Sequence, residues 1–356
     1  MLRLISLLVF LSVSMTGSAL FAQQSFFVKN VLDSLYQING TGQVQAATIS
    51  PDYPTQGYFG YLTTIDGFHR NYMMITRLSD TDLDSFGLKI IGLDSLDITN
   101  VPLSNYVSPF PGPGQFSFHG LEYGALADRV YLAPTFGDSL FQIDLTTGMV
   151  SGAMEIPIFE NTYSYLHTFH QSEQRYAMIA TDAQYQKRFF QVDLDDDTVL
   201  ISPPMNFPEP LRALEYSEQT DRYYVVSDAD QFIYSIDPLT GILTPEIQIP
   251  GYQSAFGYLH TVDVGLDLYQ FVGVDTSGFS SVRMWTYQPS TGQISSVPFP
   301  YPQAGFYGLE ATNTAFLSRL VEEAEAPTTA VEPLNEATWA ISATSRPLLT
   351  TRVVYP

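Results

Sequence analysis

The 356-residue sequence contains no cysteine. Disulfides, zinc–thiolate centres and thiol nucleophiles are therefore excluded, and packing alone must hold the fold together. Basic residues are scarce too, because 15 lysines and arginines stand against 37 acidic residues, for a net charge of −22. Nucleic acid and anionic membrane surfaces are therefore poor partners, since their phosphates would be repelled. The acidity favours solubility, and it also attracts metal ions or basic ligands.

Motifs that define enzyme classes are also missing. The chain has no G-x-S-x-G, H-E-x-x-H, P-loop or G-x-G-x-x-G, which removes the activities that those motifs indicate. Asp80, Asp82 and Asp84 have the spacing of a calcium loop, but no glutamate follows at the twelfth position. An EF-hand site is therefore not predicted, and a single calcium ion on this surface loop stays an alternative.

Long apolar runs are confined to the N-terminus. Residues 4–15 form an apolar run after Arg3, and small residues precede Ala22. The run is too short to span a membrane, so we predict a signal peptide over residues 1–22, with a retained anchor as the alternative. No later stretch approaches the roughly 20 apolar residues that a spanning helix needs. The mature chain is therefore expected to be exported and to lack a membrane span.

Short strands make up most of what the chain does contain. The sequence is 14% aromatic and has 24 glycines and 23 prolines. Runs such as RYYVVS (222–227) and QFIYSID (231–237) are rich in β-branched and aromatic residues and are bounded by turn formers. These features are typical of an all-β chain.

Two kinds of segment recur along the sequence. Polar hairpin turns lie at residues 38–44, 92–98, 143–150, 192–200, 236–243 and 287–294. Strand-like segments centred on a leucine lie at residues 59–64, 118–123, 163–168, 211–216, 256–261 and 306–311. Each of the first five leucine segments is followed by a strand-like run and a hairpin, which makes four strands per unit. Four strands in a period of roughly 40 to 50 residues are the signature of a β-propeller blade.

The sixth unit is split between the two ends of the chain. Residues 309–321 have no hairpin behind them, and the first hairpin, residues 33–50, has no inner strands before it. Joining the two completes a sixth blade and leaves no sheet edge unpaired. We therefore predict a six-bladed propeller over residues 23–321. The alternative is seven blades, because a long proline- and glycine-rich connector lies at residues 108–115.

The leucine segments alternate between two forms. Blades one, three and five have a tyrosine before the leucine and threonine or histidine after it, whereas blades two, four and six have glycine or alanine before it and glutamate after it. Triplication of a two-blade unit explains this alternation. Because side chains alternate along a strand, the residues on either side of the leucine are expected to share one side. Three tyrosines should then alternate around the ring with three small residues: Tyr61, Tyr165, Tyr258 and Gly120, Ala213, Gly308.

The first strand of each propeller blade lies nearest the axis, so the residues after the leucines should meet in the central channel. These residues are Thr63, Glu122, His167, Glu215, His260 and Glu310. The five histidines and glutamates among them could hold a divalent metal, calcium or zinc, or act as acid and base. The alternative is a polar ring of hydrogen bonds between neighbouring blades, which closes the channel and keeps the buried charges paired.

The loops leading into the first strands are rich in aromatic residues and proline, and acidic turns lie on the same face. Propellers usually bind ligands at such a face, where many loops converge on a rigid scaffold. Aromatic platforms beside carboxylates suit a glycan or a basic peptide. The sequence therefore favours binding of a glycan or protein ligand without catalysis, and a metal-assisted hydrolase or lyase at the Glu/His ring is the alternative.

The composition changes after residue 321. Residues 322–338 are polar and rich in alanine, proline and acid, as in a linker, and residues 339–356 alternate like a single strand. This tail, which ends Val354-Tyr355-Pro356, resembles the start of a C-terminal sorting domain of the type IX secretion system, whose Asn-Pro and later strands are missing here. The resemblance implies export through the periplasm of a Gram-negative bacterium, then release or attachment at the outer cell surface.

The blade repeats, with turns such as IDPLTG (236–241), resemble the group of propellers that includes NHL, quinoprotein-like and gluconolactonase-type six-bladed domains. The match lies in the architecture rather than in a functional motif. The gluconolactonase type implies a channel metal held by Glu, Asn and Asp, whereas this ring offers Glu and His. The resemblance therefore supports the fold and leaves that activity without residue support.

Overall fold

The computed structural model describes residues 25–30, 34–48, 62–78, 86–105, 118–135, 137–157, 159–278, 281–300 and 305–325. These residues form 24 strands, β1 to β24, and one helix, α1 (Thr314–Glu325). The prediction of an all-β chain is confirmed. No helix among the described residues has the length and apolarity needed to cross a membrane.

The strands form six antiparallel sheets of four strands each. Blade one is β4 (Thr63–Asp66), β5 (Asn71–Arg77), β6 (Phe86–Gly92) and β7 (Ile98–Pro102). Blade two is β8 (Phe118–Gly124), β9 (Arg129–Pro134), β10 (Ser139–Asp144) and β11 (Val150–Glu155). Blade three is β12 (Phe159–His170), β13 (Arg175–Asp182), β14 (Lys187–Asp193) and β15 (Thr198–Ile201).

Blade four is β16 (Leu211–Ser217), β17 (Arg222–Ser227), β18 (Phe232–Ile236) and β19 (Leu243–Gln248). Blade five is β20 (Tyr252–Asp263), β21 (Leu268–Asp275), β22 (Val282–Gln288) and β23 (Gln293–Pro298). Blade six is β24 (Phe306–Ala311), β1 (Ser25–Asn30), β2 (Leu35–Asn39) and β3 (Val44–Thr48). The six-bladed prediction is confirmed, and the seven-bladed alternative is wrong.

The hydrophobic core lies between the blades rather than at the axis. Six clusters of buried apolar side chains occupy the six interfaces between neighbouring blades. The repeated leucines point into these clusters, and all of them are buried: Leu62, Leu121, Leu166, Leu214, Leu259 and Leu309. Each leucine therefore anchors an innermost strand sideways, which leaves the neighbouring positions to face the channel.

The closing blade differs from its expected composition. Joining the split unit predicted two inner strands from the C-terminal side, but the C-terminal side supplies only β24 and the N-terminal side supplies three strands. The missed strand is β1, in which Phe26 pairs with Ala311 of β24 and with Ile38 of β2. Its three consecutive apolar residues, 26–28, lack the alternation that identifies a half-buried strand, because β1 is covered on both sides.

Helix α1 differs from the prediction, which places residues 314–321 in the sixth unit. Phe316 and Leu317 lie on one side of the helix and line the bottom of the central channel, and Leu317 is 4% exposed. Asn313 fixes the start of the helix, because its amide accepts from Val264 N (2.8 Å) and donates to Val262 O (2.9 Å). The first four residues of the predicted linker, 322–325, continue this helix.

Several predictions fall on residues that the structure does not describe. They are the signal peptide, Tyr61, the calcium-like loop at residues 80–84, most of the linker and the sorting-like tail.

The two faces of the propeller are named by the direction of the innermost strands. The upper face is the side where these strands begin, and the lower face is the side where they end and α1 follows.

Ring closure by β1 predicts a stability effect. Phe26 is fully buried between blades five and six, so Phe26→Ala is expected to lower the free energy of unfolding by about 3–5 kcal/mol. Leu239→Ala is the control, because Leu239 is 55% exposed, and a change within about 0.5 kcal/mol is expected there. Urea unfolding of both variants tests this, and equal effects would contradict the closure described here.

Candidate functional site at the propeller axis

The predicted channel residues meet in one central cavity of about 100 Å³. Eight of the nine predicted residues line it: Thr63, Glu122, Tyr165, His167, Glu215, Tyr258, His260 and Glu310. The ninth, Tyr61, lies outside the described residues. A cavity of this size holds only a few water molecules or a small ion.

Each glutamate of the even-numbered blades forms one hydrogen bond to the next odd-numbered blade, which makes three such bonds in the ring. The Thr63 hydroxyl donates to Glu310 Oε1 (3.1 Å) across the boundary between blades six and one. Nδ1 of His167 lies 2.9 Å from Glu122 Oε1. Nδ1 of His260 lies 2.8 Å from Glu215 Oε1. The glutamates and histidines are therefore paired as the polar-ring alternative expected.

A second set of threonines crosses the other three boundaries. Tyr123 N donates to Thr64 Oγ1 (3.0 Å), and Ala311 N donates to Thr261 Oγ1 (2.9 Å). Thr168 Oγ1 donates to Glu215 Oε2 (3.1 Å). The two sets together form an axial belt, a ring of hydrogen bonds that crosses all six blade boundaries. Sequence reasoning missed these threonines, although each is the last residue of a YLTT or YLHT phrase.

Burial and like charges decide the protonation of the belt. Burial raises the pKa of Glu122 well above its ordinary value, and the carboxylates of Glu215 and Glu310 raise it further. Burial lowers the pKa of His167 to about 3, and the neighbouring imidazoles of His260 and His119 add to this. Both shifts favour the neutral forms, so Glu122 and His167 meet as a carboxyl group and an uncharged imidazole.

Glu310 follows the same rule. Its pKa is raised well above the ordinary value by burial and by the charge of Glu215, and only the hydrogen bond from Thr63 opposes this. Three carboxyl groups therefore share one small cavity, and at least two of them are driven towards the protonated form. The arrangement offers a proton donor beside a neutral imidazole, which are the groups that acid–base chemistry would need.

The small residues of the even-numbered blades make room for the next blade. A Cβ atom on Gly120 would overlap the Tyr176 hydroxyl and lie 2.8 Å from Cγ of His167. The tyrosine hydroxyls at the equivalent places donate to backbone carbonyls, from Tyr72 to Gly308 O (2.9 Å) and from Tyr269 to Ala213 O. The predicted alternation of large and small residues is therefore a packing requirement at the axis.

The innermost strands are irregular beside the leucine. The register shifts within β8, β12, β16 and β20 beside the leucine, and φ is positive at Tyr165 (72°), Ala213 (61°) and Gly308 (60°). A bulge of this kind re-aims side chains. Tyr165 and His167, which are two residues apart, both line the cavity despite this irregularity, as expected for the two residues that flank the leucine.

Tyrosine rings cover the upper side of the cavity. The rings of Tyr165 and Tyr258 meet edge to face at 5.5 Å between centroids, and Tyr258 packs against Tyr307 at 4.8 Å. Tyr165 lies so close to Gly257 that a Cβ atom there would be 2.6 Å from its ring. The belt therefore lies between these rings above and α1 below.

Two aspartates in the acidic turns of the upper face are engaged in contacts within the protein. Asp182 is fully buried and accepts from Gln184 N and Gln186 N, each at 2.9 Å, and from Arg188. Asp228 accepts from Arg212, from the Tyr252 hydroxyl and from Ala255 N. These carboxylates hold loops in place, so they are not the free ligand contacts that the sequence suggested.

A separate pocket opens on the upper face between blades three and four. This upper-face pocket has a volume of about 170 Å³ and is lined by Tyr163, Tyr165, Leu166, Lys187, Phe207, Glu209, Pro210, Leu211 and Arg212. The Lys187 ammonium lies 5.2 Å from the ring centroid of Tyr163 and 5.1 Å from that of Phe207, and it pairs with Glu209. The pocket lies between two of the aromatic loops noted in the sequence, residues 158–165 and 206–212. Sequence reasoning missed Lys187, because it lies on β14, outside those loops.

Metal-ligating geometry does not arise within the belt. Among the residues that the structure describes, one group of three carboxylate or imidazole side chains has its ligand atoms within 4.8 Å of one another, and that group is Asp66, His69 and Asp128. None of the five predicted ring ligands belongs to it.

Fold and site together define a six-bladed β-propeller whose axis is closed by hydrogen bonds. No protein-family model and no curated protein sequence matches the chain. Among solved structures, it is similar to a chain of the nidogen/laminin complex, with 8% identity, a TM-score of 0.57 and coverage of 82% of this chain and 99% of that chain. It is also similar to a putative TolB from Agrobacterium tumefaciens, with 11% identity, a TM-score of 0.50 and coverage of 81% and 91%. At these identities the similarity establishes the fold alone.

Close packing at the axis predicts a matched pair of glycine variants. Gly120→Ala places a methyl group against Tyr176 and His167, so it is expected to lower the free energy of unfolding by about 1–3 kcal/mol. Gly152→Ala, on the outer strand β11, meets open space and is expected to be nearly neutral. Denaturant unfolding measures both, and a tolerated Gly120→Ala would contradict the packing argument.

The raised pKa of Glu122 predicts a pH dependence of stability. Glu122 keeps its proton to higher pH when folded than when unfolded, so this stabilisation is complete below the ordinary value of 4.5 and is lost as pH rises towards the folded pKa. Glu122→Gln stays neutral and removes this dependence. Above pH 5 the free energy of unfolding of the unmodified chain should fall more steeply than that of Glu122→Gln, by up to about 1.4 kcal/mol per pH unit.

Urea unfolding at a series of pH values measures the two slopes. Glu323→Gln is the control, because Glu323 is exposed on α1, and its slope should match that of the unmodified chain. Parallel slopes for Glu122→Gln and the unmodified chain would contradict a protonated Glu122.

Proposed function

We propose that this chain is an exported propeller, secreted or held at the outer cell surface, that binds a glycan or protein ligand at its upper face without chemistry of its own. The observation that carries the proposal is the upper-face pocket beside the tyrosine rings of the channel mouth. Tyr163, Phe207 and Lys187 present two aromatic rings and a cation in one recess. The signal peptide and the sorting-like tail support the export part.

The chemistry of the pocket suits both ligand classes. Aromatic faces bind the apolar faces of sugar rings and the side chains of proteins, and both gain from large buried area. Lys187 and Arg212 add donors for oxygen atoms of a ligand. A protein ligand also draws support from the nidogen/laminin structure, in which a protein of the same fold belongs to a protein complex.

The alternative is a metal-assisted hydrolase or lyase that uses the belt. The pairing of a protonated Glu122 with a neutral His167 favours it, because a raised carboxyl pKa is a common property of general acids. Against it, the belt residues are engaged across blade boundaries and lie between the tyrosine rings and α1. The binding function is therefore the one that we carry forward.

A binding assay with two tyrosine variants tests the proposal. The purified chain is applied to a glycan array and, in parallel, to immobilised candidate surface proteins, with EDTA present. Tyr163→Ala is expected to weaken binding about fivefold or more, because loss of an aromatic anchor typically costs over about 1 kcal/mol. Tyr185→Ala is the control, since Tyr185 is 75% exposed and outside the pocket.

The outcomes separate the two functions. Binding that persists in EDTA and falls only with Tyr163→Ala supports the proposal. Binding that is unchanged in Tyr163→Ala would contradict the proposed pocket. Binding that is abolished by EDTA would contradict metal-free binding and would favour the metal-dependent alternative.

A further inference from the structure

A mixed group of metal-ligating side chains lies on the lower face, away from the belt and from the upper-face pocket. Asp66 ends β4, His69 lies in the turn that follows, and Asp128 precedes β9 of the next blade. One ligand atom from each lies within 4.8 Å of the other two. The group therefore bridges blades one and two at the ends of their innermost strands.

The turn after β4 accounts for only part of this arrangement. Asp66 Oδ1 accepts from His69 N (2.8 Å), and in blade five Asp263 Oδ1 accepts from Leu266 N (3.0 Å) in the same way. The turn therefore forms equally well with a leucine in the place of His69. The turn does not need the imidazole of His69. Its Nδ1 lies 2.8 Å from Asp66 Oδ2. The Asp66 side chain is 2% exposed, whereas the His69 side chain is 51% exposed.

Asp128 is held towards the same point by a tyrosine. The Tyr123 hydroxyl donates to Asp128 Oδ1 (2.9 Å). A hydrogen bond of this kind fixes a metal-ligating carboxylate and leaves its second oxygen available.

We propose that Asp66, His69 and Asp128 form a binding site for one divalent transition-metal ion on the lower face. Two carboxylate oxygens and one imidazole nitrogen suit Zn²⁺ or Mn²⁺ better than Ca²⁺, which takes oxygen ligands almost exclusively. Three protein ligands leave a position for water, and the exposed His69 gives the ion direct access. The net charge of −22 raises the cation concentration at the surface.

This site affects how the metal content of the protein is interpreted. The proposed function needs no metal, and its alternative places one at the belt. A metal bound on the lower face would yield the same stoichiometry as a belt metal, so stoichiometry alone does not identify a catalytic centre. Variants at the two places distinguish them.

Zinc titration of the chelator-stripped full chain tests the site. Calorimetry is run with millimolar Mg²⁺ present, which suppresses nonspecific attraction of cations to the acidic surface. One Zn²⁺ per chain is expected for the unmodified protein. His69→Gln and Asp128→Asn should each weaken zinc binding about tenfold or more. The His69→Gln variant is expected to fold normally, because the side chain of His69 is exposed, so its loss of zinc would not reflect misfolding.

Blade four offers a matched control for Asp128. Asp221 accepts from the Tyr216 hydroxyl (2.7 Å) as Asp128 does from Tyr123, so Asp221→Asn loses the same kind of hydrogen bond without removing a proposed ligand. Zinc affinity should be unchanged in Asp221→Asn and in the double variant His167→Gln/His260→Gln. The proposal is overturned if the unmodified chain binds no zinc, if the Asp128 and Asp221 variants behave alike, or if only the belt variant loses the metal.

Discussion

Close approach of six innermost strands to one axis is the constraint on which the rest of this structure depends. The strands neighbour one another in chain order around the channel, and six large side chains at one level would not fit there. The chain solves this by alternating blade types, so that Tyr165 and Tyr258 stand beside Ala213 and Gly308. The positive φ angles at Ala213 and Gly308 let their carbonyls reach the tyrosines of the next blade. A two-blade repeat is the smallest unit that satisfies this geometry.

The same crowding determines the electrostatics of the axis. Three glutamates repeated at one level cannot all ionise in a small cavity, because burial and mutual repulsion both penalise charge. The belt meets this constraint with hydrogen-bonded Glu–His pairs and hydroxyl donors, which give the buried carboxyl groups partners. In a chain without cysteine, this belt and the six apolar clusters between the blades hold the ring closed. The conspicuous histidines therefore have a structural role that does not require catalysis.

Local repetition explains why so much of the fold was predictable. The leucines, the hairpin turns and the alternation of YLHT with LEY each recur, so every blade confirms the others, and the channel residues followed from their position beside the leucine. Features that occur once were missed. Strand β1 is the second strand of blade six but comes from the opposite end of the sequence to β24, and α1 begins where the sixth repeat ends. The upper-face pocket depends on Lys187 reaching two rings from other segments, which only tertiary packing reveals.

The first and the last described segments of the chain both lie at the lower face of the propeller. Strand β24 runs towards the lower face, and Phe26 pairs with Ala311 near its end, so the described chain begins at that face. Helix α1 follows β24 there and contacts the channel through Phe316 and Leu317. The upper-face pocket and the proposed metal site at Asp66, His69 and Asp128 therefore lie on opposite faces of the propeller, so a ligand in the pocket and an ion at the site would not compete for space.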